Sequence, residues 1–304
     1  MFFIRFKRDL AMSKKILLWM AFSFVLLCIP AIGTTVETER LIVRDVTGNI
    51  PPERFEKIVS KTDSTLAEVL KFWSADPKIE ELGKIIVEYD RPLQADVASS
   101  FFFRRKENNK MVRVVRVFGG NEYPHQLAHK LTTALFPNPD ILIRNMMGEA
   151  SETRFGNPLS FPMCGFNKDE WVMALLQAGS YISLAEMGPD QSDWGKEIVA
   201  NAPRVKDRVK QHTCYLEAGS FGEFLINNYG TNKMKQFYRL SKNKPRPWEE
   251  VFGTTLEQLE TMWLEYIKLK YRDKTANIAT LVKLWRTQPN TACFSAQDLA
   301  EGKK

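Results

Sequence analysis

The chain has 304 residues, 44% of them hydrophobic and 12% aromatic, a composition that indicates a folded protein and excludes an intrinsically disordered one. The formal net charge is +7, but residues 1–33 hold five basic side chains against one acid and supply most of that excess. The remainder is only mildly basic, so we expect no nucleic-acid partner.

Residues 1–33 have the layout of an export signal. A basic start precedes an apolar run from Ile16 to Ile32, and small residues at Ala31 and Gly33 suit a signal peptidase. The apolar run is short for a spanning helix. We expect an exported protein, periplasmic or extracellular, that begins near Thr34. An uncleaved N-terminal anchor is the alternative, and this segment would then be the chain's contact with a membrane.

The four cysteines are consistent with an exported protein. Cys28 lies in the leader, which leaves Cys164, Cys214 and Cys293 for the folded part. One disulfide among these three can form in an oxidising compartment, and the sequence leaves the pairing open.

Residues 34–120 are expected to form a small sheet with one helix. Leu41 to Val46 alternates apolar and charged side chains as a strand does. Pro51-Pro52 then precedes a helix from about Glu53 to Trp73, whose apolar side chains recur at helical spacing. The charged run from Arg104 to Lys110 is expected to be a hairpin loop. Three further strands are predicted, at residues 84–89, 101–103 and 111–118.

Residues 121–272 are expected to be mainly helical. The segment 169–187 reads as one interrupted helix, and 190–204, which contains Pro203, as an irregular crossing. Tyr215 to Tyr229 reads as a helix ended by Gly230. No role is assigned to the C-terminal extension, residues 273–304.

One motif carries candidate chemistry, the run His125-Gln126-Leu127-Ala128-His129. Two histidines four residues apart on a helix lie on the same face. Glu149 follows His129 by 20 residues and can supply a carboxylate from the next helix. Two imidazoles and a carboxylate, with a fourth position left to water, are a ligand set of catalytic zinc. The motif therefore predicts a zinc site of His125, His129 and Glu149.

This arrangement resembles the H-E-x-x-H…E motif of gluzincin metallopeptidases, in particular the peptidase-MA-like group of exported bacterial proteins. Met146-Met147-Gly148-Glu149 stands where that family has the W-L-x-E of its ligand glutamate. Two later segments, from Ser220 and from Phe252, also look like the family. The resemblance covers roughly residues 40–270. It implies an α+β fold, with a small mixed sheet before a mainly helical, zincin-like part.

Gln126 departs from the family, because the resemblance places the general-base glutamate at this position. A carboxamide can hydrogen-bond a zinc-bound water but cannot take its proton. The base is lost, or another carboxylate such as Glu217 replaces it, or the metal alone supports slow hydrolysis. Losing a general base costs on the order of 10²–10⁴-fold in rate, which favours a protein that binds without cutting.

Three further residues are candidates near this site. The resemblance implies that a tyrosine or histidine of the later helical region stabilises the oxyanion, a role that His212 or Tyr215 could fill. The alternative is that His212 is a surface-loop residue and Tyr215 a core aromatic. Glu152, one turn after Glu149, is expected to support the site from behind the ligands or to lie at the surface.

Three hypotheses about function follow. The chain is a zinc-binding pseudo-peptidase that captures a peptide or protein ligand without cleaving it. Alternatively, it is an active metal-dependent peptidase with a different base, or a metal-free structural protein of the cell envelope. Metal content separates the last hypothesis from the others, and turnover separates the first two.

Overall fold

The computed structural model describes residues 33–75, 83–90, 100–118, 126–199, 202–273 and 275–303, without the side chains of 198–203. Apart from Gly33, the predicted leader lies outside these ranges, as does His125. A five-stranded mixed sheet leads into a helical part, so the predicted α+β class is confirmed. Within the same ranges, no helix has the length and apolar character needed to cross a membrane.

The sheet has the strand order β1-β2-β3-β5-β4. Its central strands β2, β3 and β5 run parallel, while the outer strands β1 and β4 are antiparallel to their neighbours. The strands are β1 (Thr35–Glu37), β2 (Leu41–Asp45), β3 (Ile85–Asp90), β4 (Phe101–Glu107) and β5 (Lys110–Phe118).

One face of the sheet is packed and the other is open. Alternate side chains such as Val43, Val87 and Val115 are buried against the helices α1 (Pro52–Trp73) and α2 (Leu127–Leu135). α1 begins at Pro52 because proline lacks the N–H that a first helical turn leaves unpaired. The predicted first strand and helix are thus confirmed.

The hairpin predicted at Arg104 to Lys110 is present, but its loop is shorter than predicted. β4 continues to Glu107, and the turn consists only of Asn108 and Asn109, with φ of 46° and 62°. Asparagine tolerates this left-handed backbone, which two-residue hairpins require. The charged side chains on the open face belong to an ion-pair network, so charge here does not indicate a loop.

The helical part packs largely around one long helix, α5. This helix begins at Arg208 and is interrupted at Gly230, where φ is +81° and ψ is 163°, so two helical segments meet there at a kink and the predicted helix end at Gly230 is confirmed. The remaining helices are α3 (Ile141–Phe155), α4 (Lys168–Ala178), α5 (Arg208–Leu240), α6 (Trp248–Phe252), α7 (Leu256–Lys270), α8 (Thr275–Thr287) and α9 (Ala292–Ala300).

Two predicted segments of this part differ in the structure. A capping box of Asn167 and Glu170 starts α4, and Gly179, with φ +71°, ends it. The segment up to residue 187 is therefore a loop and not a second stretch of one helix. The predicted crossing contains a short hairpin of β6 (Lys196–Val199) and β7 (Ala202–Val205).

The C-terminal extension belongs to the helical core. Trp285 of α8 and Ala292 and Ala296 of α9 are buried in one cluster with Trp171 of α4. A disulfide joins Cys164, before α4, to Cys293 on α9, while Cys214 is a buried free thiol.

Candidate functional site

The motif helix begins later than its sequence predicts. α2 starts at Leu127, and Gln126 before it has a left-handed backbone with φ 57° and ψ 31°. His125 lies outside the described residues. The expectation that both histidines share one helical face therefore has no support from α2, which contains only His129.

Glu149, at the middle of α3, is fully buried and is contacted by three polar side chains. Its Oε1 accepts hydrogen bonds from Gln126 Nε2 at 3.0 Å and from His129 Nδ1 at 2.8 Å. Its Oε2 lies 3.1 Å from the ammonium of Lys168. The structure thus brings Gln126, His129 and Glu149 together, as the motif predicts.

Lys168 supplies a positive charge that the sequence did not reveal. It is the first residue of α4 and is buried, and its Nζ donates to the Glu149 carbonyl at 2.8 Å and to Thr153 Oγ1. Burial alone would raise the pKa of Glu149, but Lys168 and His129 hold this pKa at about 2. Glu149 is therefore an ionised carboxylate neutralised from within the protein.

His129 is a buried, neutral imidazole. Burial and the neighbouring Lys130 lower its pKa to about 3. Because Nδ1 faces an ionised carboxylate, the ring proton belongs on Nδ1, and Nε2 is a buried acceptor without a hydrogen-bond partner. A Cβ placed on Gly148 would lie 2.6 Å from Nε2, so this packing requires a glycine at position 148.

Glu152 supports the site from behind. It is fully buried, its Oε2 accepts the backbone N–H of His129 at 3.1 Å, and its Oε1 accepts from Ser160 Oγ at 3.3 Å. Burial and the charge of Glu149 raise its pKa to about 7. The surface alternative for Glu152 is therefore wrong.

A metal ion held by His129 and Glu149 would compete with the contacts already present, because Nδ1 of His129 is bonded to Oε1 of Glu149 and Oε2 faces the ammonium of Lys168. His129 Nε2 and Glu149 Oε2 are both buried without a hydrogen-bond partner among the described residues, and they are the two atoms that could ligate a metal. Within the described ranges, no group of three His, Cys, Asp or Glu side chains is placed to hold a metal. That search does not include His125, so zinc binding stays a prediction.

Tyr215 lies beside this centre on α5. Its ring is stacked on the His129 ring with centroids 6.1 Å apart, and its hydroxyl accepts a hydrogen bond from Lys196 Nζ at 2.6 Å. The tyrosine is buried, but its hydroxyl is bound to a lysine beside the candidate site, so it is more than a core aromatic.

His212, one turn earlier on α5, occupies an aromatic pocket. Its ring centroid lies 5.2 Å from that of Trp171 and 5.3 Å from that of Trp285, and its Nε2 is 2.9 Å from the Pro162 carbonyl oxygen. Burial lowers its pKa to about 4. The surface-loop alternative is wrong, because His212 is only 2% exposed.

Glu217, the candidate replacement base, contacts another segment. It is fully buried on α5, and its Oε1 accepts the backbone N–H of Ile182 at 3.1 Å. Burial raises the pKa of Glu217 well above its usual value of 4.5. Its side-chain hydrogen bond is to the Ile182 backbone and not to the centre around Glu149, so its contacts do not favour Glu217 as the base.

Three cations surround Tyr215 and His129, and sequence reasoning missed all of them. Lys130 follows His129 on α2, Arg144 lies in the first turn of α3, and Lys196 begins β6. Burial, with repulsion by Arg144, lowers the pKa of Lys130 to about 8 and that of Lys196 to about 7. The one available signal was a lysine in α2, a short helix whose other side chains carry no charge.

A cleft of about 900 Å³ opens at Lys196. Its walls come from the segment before β6, from the end of the β6–β7 hairpin and from the first turn of α5. The charged lining residues are four bases and three acids, namely Lys196, Lys206, Arg208, Lys210, Asp190, Glu197 and Asp207.

Comparisons with protein families, with curated proteins and with solved structures find no match to this chain. The family resemblance therefore rests on the motif residues alone.

Proposed function

We propose that this chain is an exported, metallopeptidase-like protein that binds a peptide segment and does not hydrolyse it. One observation carries the proposal: the carboxylate of Glu149 is bonded to Gln126 and His129 and faces the ammonium of Lys168. In a hydrolytic zinc site, the corresponding carboxylate would face a metal ion.

The chemistry of Gln126 supports the absence of hydrolysis. A general base must accept a proton from water, whereas the Gln126 amide donates its hydrogen bond to Glu149. Lys168 meanwhile supplies the positive charge that this buried carboxylate needs. The centre is a self-compensated group that holds α2, α3 and α4 together.

Peptide capture is supported by the edge of the sheet. Among the described strands, β4 pairs only with β5, so within the described residues its other edge has no strand partner for its N–H and C=O groups. α2, which carries His129 and Lys130, packs against the same strand. An extended peptide can add to such an edge through main-chain hydrogen bonds.

The disulfide supports the exported compartment. The Cys164–Cys293 bond ties α9 to the loop before α4, and such bonds persist in oxidising surroundings and are rare in the cytosol. This supports an exported protein whether or not the leader is cleaved.

Metal analysis and turnover test the proposal. The purified chain, made without metal-affinity resin, should contain far less than one zinc per chain and should not cleave a peptide mixture. Stoichiometric zinc that is lost in His129→Ala would establish the zinc-binding alternative. Cleavage that is abolished by the same substitution would establish an active peptidase.

The variant Gln126→Glu sharpens this test. It replaces a donor by a second carboxylate about as close to Glu149 as the amide, and two carboxylates at this distance repel each other strongly. We expect a less stable protein without peptidase activity. Zinc-dependent restoration of both stability and cleavage would overturn the proposal, because it would show that the centre accepts a metal. Gln126→Met, which removes the donor without adding charge, is the matched control.

A further inference from the structure

The three cations near Tyr215 converge from separate elements, α2, α3 and β6. Lys196 Nζ lies 2.6 Å from the Tyr215 hydroxyl and 4.6 Å from the centre of its ring. Lys130 interacts electrostatically with Tyr215, Lys196 and Arg144 at once, and more weakly with Glu149. Three positive charges therefore surround one phenol, next to the stacked ring of His129.

No carboxylate of the described residues lies within ion-pair distance of these cations, and Glu149 attracts Lys130 and Lys196, as Asp140 attracts Arg144, only from farther away. In the part of the chain that the structure describes, none of Lys130, Arg144 and Lys196 forms an ion pair, and the ammonium of Lys130 has no hydrogen-bond partner although the residue is only 9% exposed. Arg144 makes one long hydrogen bond, 3.5 Å, to the Asn138 carbonyl. An unpaired cluster of this kind is costly in an otherwise folded interior unless an anion completes it.

Two features make the cluster suitable for a ligand. Lys196 donates to the oxygen of Tyr215, so the hydroxyl proton of Tyr215 remains available for another acceptor. Lys196 also lines the 900 Å³ cleft, which gives the cluster a route to solvent. Lys206 and Lys210 on the cleft walls add positive potential along this route.

We propose that Lys130, Arg144 and Lys196, together with the Tyr215 hydroxyl, bind the anionic group of a ligand, a carboxylate or a phosphate, which enters through this cleft. The site is independent of the function proposed above, because it uses neither Glu149 nor the edge of β4. The anion site could therefore exist whether or not the neighbouring centre of His129 and Glu149 binds a metal.

Thermal unfolding and calorimetry of the full chain test the site. The probes are inorganic phosphate and N-acetylalanine, at constant ionic strength set with chloride, with N-acetylalaninamide as the uncharged control. We expect a saturable rise in melting temperature with at least one anion and none with the amide. A response to phosphate alone assigns a phosphate ligand, and a response to N-acetylalanine alone assigns a carboxylate. No saturable effect of either anion would overturn the proposal.

Variants separate binding from structure. Arg144→Gln and Lys196→Gln should each weaken anion binding about tenfold or more, since each removes one charge-assisted hydrogen bond. Without anion, both variants should melt at the wild-type temperature or above, because repulsion is relieved. Lys242→Gln is the matched control, a lysine 4.7 Å from the ring of Tyr238 on the exposed surface. Unchanged binding in both variants, or a lower melting temperature without anion, would overturn the proposal.

Discussion

Charged side chains are paired on the open face of the sheet but partly unpaired in the helical part. On the sheet, the buried Glu88 is contacted by Arg44, Arg105 and Arg116, and Glu107 accepts a two-pronged pair from Arg44 at 3.0 and 3.2 Å. In the helical part, Lys168 is paired with Glu149, but the three cations around Tyr215 have no such partner within the described residues. Charges on the sheet are neutralised by neighbouring side chains, whereas those near Tyr215 would be neutralised by the anion proposed above.

Solvent access explains part of this difference. The sheet arginines have side chains 27–32% exposed, so water shares the cost of their charge and an extra cation is tolerated there. Near Tyr215, Lys130 is buried while Arg144 and Lys196 are partly exposed, so water offers less relief there. An unpaired charge near Tyr215 is therefore better evidence of function than a paired charge on the sheet.

The largest expected effect comes from breaking the buried pair. Lys168→Met leaves the carboxylate of Glu149 buried without its cation, which should cost about 3–5 kcal/mol of unfolding free energy in urea titrations. The double variant Lys168→Met/Glu149→Gln should recover most of this loss, because both charges are removed together. A loss no larger than that of Lys244→Met, whose ion pair with Glu250 is exposed, would contradict this prediction.

A smaller effect is expected from the sheet. Glu88→Gln removes the shared acceptor of Arg105 and Arg116 but leaves both guanidinium groups partly in water, so we expect a loss of about 1–3 kcal/mol. The same urea titration measures it, with Glu250→Gln as the exposed control. If Glu88→Gln were as damaging as Lys168→Met, the contrast between the two regions would not hold.

The pH dependence separates the regions on the alkaline side. Burial lowers the pKa of Lys196 to about 7 from 10.5, so the fold disfavours its charged form. The unfolding free energy should therefore rise as pH increases from about 7 to 10.5, because the unfolded chain still binds the proton that the fold has released. Lys196→Gln should flatten this rise in denaturant titrations at pH 7 and 9.5. An unchanged slope would show that Lys196 is not responsible.

The ion pairs of the sheet should change the unfolding free energy at acid pH instead, and this is the smallest effect expected. The hydrogen bond from Arg44 lowers the pKa of Glu107 to about 2 from 4.5, against burial. Its contribution to stability is complete above pH 4.5 and is lost as pH falls through 2. Glu107→Gln should reduce the acid-side slope and leave the alkaline slope intact. Titrations at pH 5 and 3 measure this, and equal slopes in both proteins would contradict it.

Periodicity was sufficient for the elements that bury one face. The alternation in Leu41 to Val46 and the helical spacing from Glu53 to Trp73 each report a burial pattern, and both elements are present. The extent of the loop at Arg104 to Lys110 was mispredicted, because its charged side chains suggested a solvent-exposed loop. In the structure, arginines of this region contact Glu88, which is distant in sequence.

The candidate site was predicted in part for a similar reason. The spacing of His129 and Glu149 indicated that the two would meet, and they lie 2.8 Å apart. Lys168 could not be predicted, because no local pattern states that the first residue of α4 points its ammonium at α3. Lys130 could have been, since a lysine among buried residues in a short apolar helix requires an explanation.

The Cys164–Cys293 bond encloses the chain between these residues in a covalent ring, with a sequence separation of 129. Lys168, Lys196 and Tyr215 lie inside this ring, while Lys130 and Glu149 lie before it. A protease that cuts an exposed loop within the ring would leave both products joined, so the cut would show on a gel only after reduction. In the uncut chain the two halves of the cation cluster thus lie on different segments, Lys130 and Arg144 before the ring and Lys196 within it.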